Sequence, residues 1–355
     1  MKTFLVTGGA GFIGSNFILW LLQKEPDIRL INLDALTYAG SLENLKDLPD
    51  PDRHIFVKGD ICDRPLIDQL LYDYQIDTIV HFAAETHVDR SILGPEQFIQ
   101  TNVMGTFTLL EAAKHRSLTN PESNPFHFHH VSTDEVFGAL TPDDPPFSEK
   151  TPYAPNSPYA ASKAASDHLV RAYSHTYGLR YTMTNCSNNY GPHQFPEKLI
   201  PLMIRNAWQG QKLPVYGKGQ NVRDWLYVED NCKAIASVID RGQVGSVYNI
   251  GAGEERPNLE VVELICELLA IRLNKPAGEL KELIEFVKDR PGHDFRYSLE
   301  SRRIRTELGW EPTVGLEEGL ARTIDWYLCH QEWVNNVVSG EYKQYYHRVY
   351  EKGWQ

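Results

Sequence analysis

Directly after the apolar run FLV, the chain reads Thr7-Gly8-Gly9-Ala10-Gly11-Phe12-Ile13-Gly14, and the helical pattern FIGSNFILWLLQ continues from it. Glycines at this spacing let a strand turn abruptly into a helix and let the backbone approach a ligand that no Cβ would tolerate. The free N–H groups of the helix start favour a pyrophosphate at that point. Such a loop belongs to a βαβ unit, so it predicts a parallel sheet wound on both faces. The candidate contacts are Gly8, Gly11, Phe12, Ile13 and Gly14.

The rest of the first half follows the same plan. IRLINLD, HIFVKGD, TIVHFAA, FHFHHVST and RYTMTNCSN read as buried strands; RPLIDQLLYDY, Gln97 to His115 and Pro158 to Tyr177 read as helices between them. Alternation of apolar strands with helices gives an α/β, doubly wound parallel sheet of Rossmann type over residues 1–187. From residue 188 to 355 the pattern loosens into a smaller, mixed α/β lobe. It has short strands at SVYNIG and IEFVKD and helices near Leu259 to Arg272 and Val314 to Leu328, and the chain is free to cross between the lobes more than once.

Asp34 ends the second strand about 20 residues after Gly14, where a carboxylate accepts the adenosine ribose hydroxyls and repels a 2′-phosphate. NAD is therefore expected rather than NADP, with Ala35, Leu36 and Thr37 beside that acid. Asp60 and Ile61 follow the third strand and are placed near the adenine. Phe82, Ala83, Ala84 and Glu85 follow the fourth, near the middle of the cofactor. The other reading of Asp34 and the glycines is a turn and a tight helix–sheet contact.

With 355 residues, 42% of them hydrophobic and 23% charged, the chain is long enough for a large core. Its formal charge of −12, with dispersed cations, gives no footprint for nucleic acid. The five cysteines are odd in number, far apart and without a C-x-x-C pair, which points to the reducing cytoplasm rather than a disulfide framework or zinc knuckle. Glycines interrupt the apolar opening Met1 to Leu22, so it reads as strand, loop and helix rather than signal peptide, and no run reaches the roughly 20 apolar residues of a membrane span. His127 and His129 share a strand face with His130 beside them, but no second ligand cluster accompanies them, so packing is expected and no metal.

Tyr159-Ala-Ala-Ser-Lys163 opens a helical pattern, which makes the phenol and the ammonium neighbours on one face. A phenol near pKa 10 is a poor base at neutral pH, and an adjacent cation favours its anion. Tyr159 is then placed to take a hydroxyl proton while hydride leaves the same carbon; the alternative is a solvated helix face. In Ser132-Thr133-Asp134-Glu135-Val136 two carboxylates follow a strand end. On these residues alone, capping and catalysis stand level.

The glycine loop with Thr133, Tyr159 and Lys163 resembles the extended short-chain dehydrogenase/reductase family. NLDALTYAG, AAETHVDRS, TNVMGT, STDEVFG, SNNYGP, FPEKLIP, RDWLYVEDN and DRPGHD resemble segments of its nucleotide-sugar 4,6-dehydratases, over nearly the whole chain. That resemblance implies dTDP-glucose as substrate, NAD as cofactor, a deoxysugar route such as that to rhamnose, and a homodimer formed by the two long helices. It implies Tyr159 and Lys163 as the redox pair, with Thr133 beside them, Glu135 as base at C5 and protonated Asp134 as acid at the C6 hydroxyl. It also implies that Thr86, Thr133 and Asn188 contact the sugar, and that Asn189 and Thr101 lie at the cofactor. The nucleoside diphosphate would be enclosed by Lys198, Leu199, Pro214, Val215, Tyr216, Arg223, Asn258, Asp289, Arg290 and His293.

Either arginine makes physical sense as a diphosphate clamp, against ion pairs to Asp224 or Asp289 as the ordinary fate. Thr86 stands where the family often has serine, and Phe137 where it often has tyrosine. Other readings are the same reaction on UDP-glucose and a non-catalytic NAD-sensing protein.

Overall fold

The computed structural model describes residues 1–119 and 126–338, and the tail of the second lobe, 339–355, lies outside the described residues. The first half runs β1 (Lys2–Thr7), α1 (Phe12–Lys24), β2 (Ile28–Asp34), β3 (His54–Lys58), α2 (Arg64–Asp73), β4 (Thr78–His81), α3 (Val88–Leu93), α4 (Pro95–Phe98), α5 (Thr106–Thr119), β5 (His127–Thr133), α6 (Pro158–Tyr177) and β6 (Tyr181–Cys186). The second runs β7 (Asn188–Tyr190), α7 (Leu199–Trp208), β8 (Leu213–Tyr216), β9 (Val222–Tyr227), α8 (Val228–Arg241), β10 (Ser246–Ile250), β11 (Glu255–Pro257), α9 (Asn258–Leu273), α10 (Ala277–Lys281), β12 (Ile284–Val287), α11 (Arg302–Leu308), α12 (Leu316–Cys329) and α13 (Gln331–Val337).

Seven strands form one sheet in the order β10-β6-β5-β4-β1-β2-β3, and every pairing is parallel. Helices cover both faces, which is why β4 and β6 are buried from end to end. From β1 the chain steps outward one way through β2 and β3 and then the other way through β4 and β5. The crevice at the carboxyl ends of β1 and β4 is therefore the switch point where such sheets bind ligands.

Two elements differ from the sequence reading. SVYNIG, placed there among the short strands of the second lobe, pairs as β10 with β6, Ser246 opposite Thr182 and Ile250 opposite Cys186. Helix α8 packs beside it through Cys232, Ile235 and Val238 against Phe17 and Ile18 of α1. A short apolar run suits either sheet, and the pairing partner decides. The chain thus leaves the large sheet at β7, returns for α8 and β10, and leaves again. The expected single helix from Gln97 is α4, a wide π-helical stretch over Ile99–Gly105, and α5. Asn102 explains the wide turn, since its side chain accepts from the Glu85 N–H (2.8 Å) and donates to the Glu85 carbonyl (3.0 Å) and the Ser162 hydroxyl (2.8 Å).

The second lobe has a small sheet, β11-β9-β7, and a parallel pair, β12-β8, packed with α7, α9 and α12 around Tyr190, Ile204, Leu213, Val262, Leu269, Leu320 and Ile324. At its end α13 reaches back to the first lobe. The Trp333 indole donates to Asn44 Oδ1 (2.7 Å), and Asn44 Nδ2 donates to the Ala10 carbonyl in the glycine loop (2.8 Å). Among the described residues no helix is long and apolar enough to cross a membrane.

Candidate active site

The glycine loop is shaped by close backbone contacts. Gly8 has φ +73°, and a Cβ there would lie 2.6 Å from the Ala83 nitrogen; one on Gly14 would lie 2.2 Å from the Gly8 carbonyl oxygen. Gly11 differs, since the nearest atom to its Cβ position is 3.3 Å away. It opens onto a cavity of about 330 Å³ at the start of α1. Besides Gly8, Gly11 and Gly14, that cavity is lined by Phe12, Ile13, Asp34, Ala35, Thr37, Asp60, Ile61, Phe82, Ala83, Ala84, Glu85, Thr101 and Asn189.

Asp34 is buried at its edge, where one oxygen accepts from the Ala10 N–H (2.9 Å) and the other from the Leu36 N–H (2.8 Å). Burial raises its pKa, and the two N–H groups pull it back. Leu36 does not line the cavity: its backbone, at φ +53°, is given to the Asp34 carboxylate. One contact beside this cavity had no signal in the sequence. The Arg90 guanidinium lies 3.7 Å from the centre of the Tyr38 ring and 3.1 Å from the Glu197 carboxylate, so the loop after β2 is held against the second lobe.

Thr133, Asp134, Glu135, Tyr159 and Lys163 meet on the far wall of the same cavity. Thr133 ends β5, and its hydroxyl accepts from the Glu135 N–H (3.3 Å) and donates to Asp134 Oδ1 (3.2 Å). The cap at this turn is therefore the threonine, which leaves the acids to face the cavity; Asp134 Oδ2 is buried without a hydrogen-bond partner. Tyr159 and Lys163 sit at the start of α6, where the Ser157 hydroxyl accepts from the Ala160 N–H and Pro158 supplies a preset φ.

The electrostatics separate the two acids. Asp134 is pushed well above the usual carboxylate range, by burial first and then by the Glu135 charge. Glu135 is also raised by burial, but Arg290, Lys198 and Arg223 pull it down. Of the pair, Asp134 is the one that holds a proton more firmly. Tyr159 departs from the sequence expectation of a phenol eased toward its anion. It lies well above the ordinary range, because of burial first and then the Glu135 charge. Lys163 is lowered by burial, and its Nζ donates to the Val131 carbonyl (2.8 Å).

A second cavity of about 170 Å³ adjoins the first, and both are lined by Glu135, Asn188, Glu197 and Lys198. Leu199, Pro214, Val215, Tyr216, Arg223, Asn258, Arg290 and His293 line it, while Thr86 and Thr133 line the first. Asp289 lines neither; it accepts from His293 Nδ1 (2.6 Å) and so orients that ring. Arg223 is not spent on Asp224, which takes the Gly253 and Glu254 N–H groups instead. Its guanidinium is buried, donates to the carbonyls of Val222, Asp294 and Phe295, and stacks on Tyr297 at 4.3 Å. Arg290 does pair with a carboxylate, but with Asp89 (2.9 Å).

Asp89, His87, Trp225 and Tyr297 line this cavity and were not singled out in the sequence. Asp89 bonds both Arg290 and the Tyr216 hydroxyl, 201 and 127 residues away, a link no local spacing carries. His127 and His129 both bond the Thr182 hydroxyl at 2.8 Å, and no group of three potential ligands assembles among the described residues.

The profile of the GDP-mannose 4,6-dehydratase family matches residues 5–323. A dTDP-glucose 4,6-dehydratase of Xanthomonas campestris is 56% identical over 346 residues, 97% of this chain and 98% of the relative. The chain belongs to the dTDP-glucose 4,6-dehydratase family. A family member from Salmonella typhimurium is 51% identical over 98% of both chains. The solved structure of DesIV, the dTDP-glucose 4,6-dehydratase of Streptomyces venezuelae, with NAD and TYD bound, superposes with a TM-score of 0.86 at 46% identity, covering 95% of this chain and 100% of that one. A UDP-glucose 4-epimerase of Thermotoga maritima shares the fold at 27% identity and a TM-score of 0.82.

Proposed function

We propose that the protein converts dTDP-glucose to dTDP-4-keto-6-deoxyglucose, with NAD as the cofactor that is reduced and reoxidised within one turnover. The observation that carries this reading is the meeting of Asp134 and Glu135 with Tyr159 on one cavity wall, where the second cavity opens. The Gly11 opening, the α1 N-terminus and Asp34 form a cradle that fits a dinucleotide with free ribose hydroxyls. When bound, NAD supplies the hydride acceptor at C4 and the hydride donor at C6.

The side chains supply the proton chemistry. Tyr159 takes the C4 hydroxyl proton, with Thr133 on the same cavity wall and Lys163, one turn further along α6, as the cation. A ketone at C4 acidifies the C5 proton, which Glu135 removes. Asp134, kept protonated by burial and by its neighbour's charge, protonates the departing C6 hydroxyl. Arg223, Arg290, Lys198 and the start of α7 are the groups offered to a diphosphate.

Incubation of the pure protein with dTDP-glucose and detection of a 4-keto product tests the assignment. Turnover of UDP-glucose with none of dTDP-glucose overturns the choice of base. A Tyr159→Phe variant no less active than the parent overturns the catalytic reading in favour of an NAD-binding sensor.

Ile99, Met104, Phe107 and Tyr177 expose apolar surface on the stretch leading into α5, on α5 itself and on α6. This supports a homodimer in which those helices pair, measurable by sedimentation. The reduced cysteines support a cytoplasmic enzyme. Its product fits a deoxysugar route of the rhamnose type.

A further inference from the structure

Behind the redox pair, away from the cavity, α6 carries a third ionisable residue one turn beyond Lys163. Asp167 is fully buried. Its Oδ2 accepts from the Ser132 hydroxyl (2.8 Å) and from the Tyr153 hydroxyl (2.8 Å), and its Oδ1 lies 3.1 Å from His130 Nε2. Tyr153 is itself fixed from outside, since the Arg171 guanidinium donates to its hydroxyl (3.0 Å). Ser132 belongs to the strand end that places Thr133, so this carboxylate ties β5, the segment before α6 and α6 itself to one point.

The charge balance makes the arrangement more than packing. Lys163 is buried, and among the described residues no carboxylate lies within ion-pair distance of it. Tyr159 lies one turn before it on α6, and the groups that face it are Asp167 on its own helix, His81 from β4, His130 from β5, and Cys186 from β6. Burial holds both histidines neutral, and it pushes the Cys186 thiol up to about 12. Asp167 is thus the nearby group that carries a full negative charge when ionised. Around Asp167 stand Lys163 and Arg171 on its own helix, Tyr153, His130 and, from β6, Tyr181. Burial pushes the lysine down and the carboxylic acid up, and each opposes the shift of the other.

We propose that Asp167 is a positioning residue of the redox step: its carboxylate, held by Ser132 and Tyr153, balances the Lys163 ammonium and keeps that cation in place behind Tyr159. Tyr159 is buried close to Glu135, so it loses its proton only with a positive charge at hand. Lys163 supplies that charge as long as Asp167 supports it. The inference rests on Tyr159 and Lys163 being the redox pair.

The test is single-turnover formation of NADH from dTDP-glucose, followed by absorbance across pH, in the parent and in Asp167→Asn. The amide keeps the shape and can still accept from Ser132 and Tyr153. Without the carboxylate, Lys163 gives up its proton at lower pH. The alkaline limb of the profile therefore moves down by about one unit, while the rate on the acid side of that limb stays near the parent's. Asp167→Glu restores the limb.

A uniform fall at all pH values with the limb unmoved is the mark of a merely structural residue, and it overturns the proposal. Should Asp167→Asn fail to fold, Asp167→Ser, which also removes the charge, is read the same way: a limb moved down supports the proposal and an unmoved limb overturns it. Full NADH formation by Tyr159→Phe would instead overturn the underlying pair, so the two failures are distinguishable.

Discussion

At the scale of single residues, the proposed function assigns the dehydration to Asp134 and Glu135 and the redox step to Tyr159, and substitution separates the two. Glu135→Gln is expected to oxidise C4 and accumulate NADH while releasing 4-keto-6-deoxy product only slowly, seen as a persistent absorbance of the reduced cofactor. Overall turnover falls by about 10²–10⁴, the usual contribution of a positioned acid or base. Arg223→Lys should raise KM for the nucleotide sugar by about tenfold with NAD affinity unchanged, because a single ammonium cannot reproduce the planar fork now spread over three carbonyls and Tyr297. The glycines, Asp34, Tyr159 and Lys163 were legible because each depends on local spacing. The acid pair was visible but ambiguous, and the structure assigns the capping bond to Thr133. Asp89, Arg90 and Tyr297 could not be found, since their partners are brought close only by the fold.

At the scale of elements, α6 is a platform whose beginning fixes Tyr159 and Lys163. Ser157→Ala removes the hydroxyl that accepts from the Ala160 N–H and is expected to cost about 1 kcal/mol of stability, read by denaturant unfolding. The glycine turn is less forgiving. Gly14→Ala drives a methyl to within 2.2 Å of the Gly8 carbonyl, backbone that cannot swing aside, so NAD binding by titration calorimetry should be lost before the protein unfolds. The span of α6 was readable from the sequence because a serine, a proline and a terminal glycine mark its ends. The allegiance of β10 was not, because SVYNI has the same character whichever sheet claims it. Nor was the wide stretch over Ile99–Gly105, whose cause is the grip of Asn102 on Glu85.

At the scale of the whole molecule, several histidines are buried uncharged. The part-buried His127 at the start of β5, pushed down to about 4 by loss of water and by Lys2 and Arg180, shows the consequence. Its folded pKa lies below the unfolded value near 6.5, so between those values the unfolded chain binds more protons, and stability falls as pH falls through that window. From about pH 7 to about pH 5 this one residue should cost about 2 kcal/mol. A His127→Gln variant should lose less in Tm than the parent over the same interval, measured by calorimetry.

The contact between Trp333 and Asn44 spans 289 residues and ends on the loop that begins the cofactor cavity. Read as an order of events, it means that a nascent chain emerging from the ribosome forms its glycine turn early but lacks the indole that braces it until nearly all the rest has been made. Half-synthesised chains can display the dinucleotide motif without its finished grip.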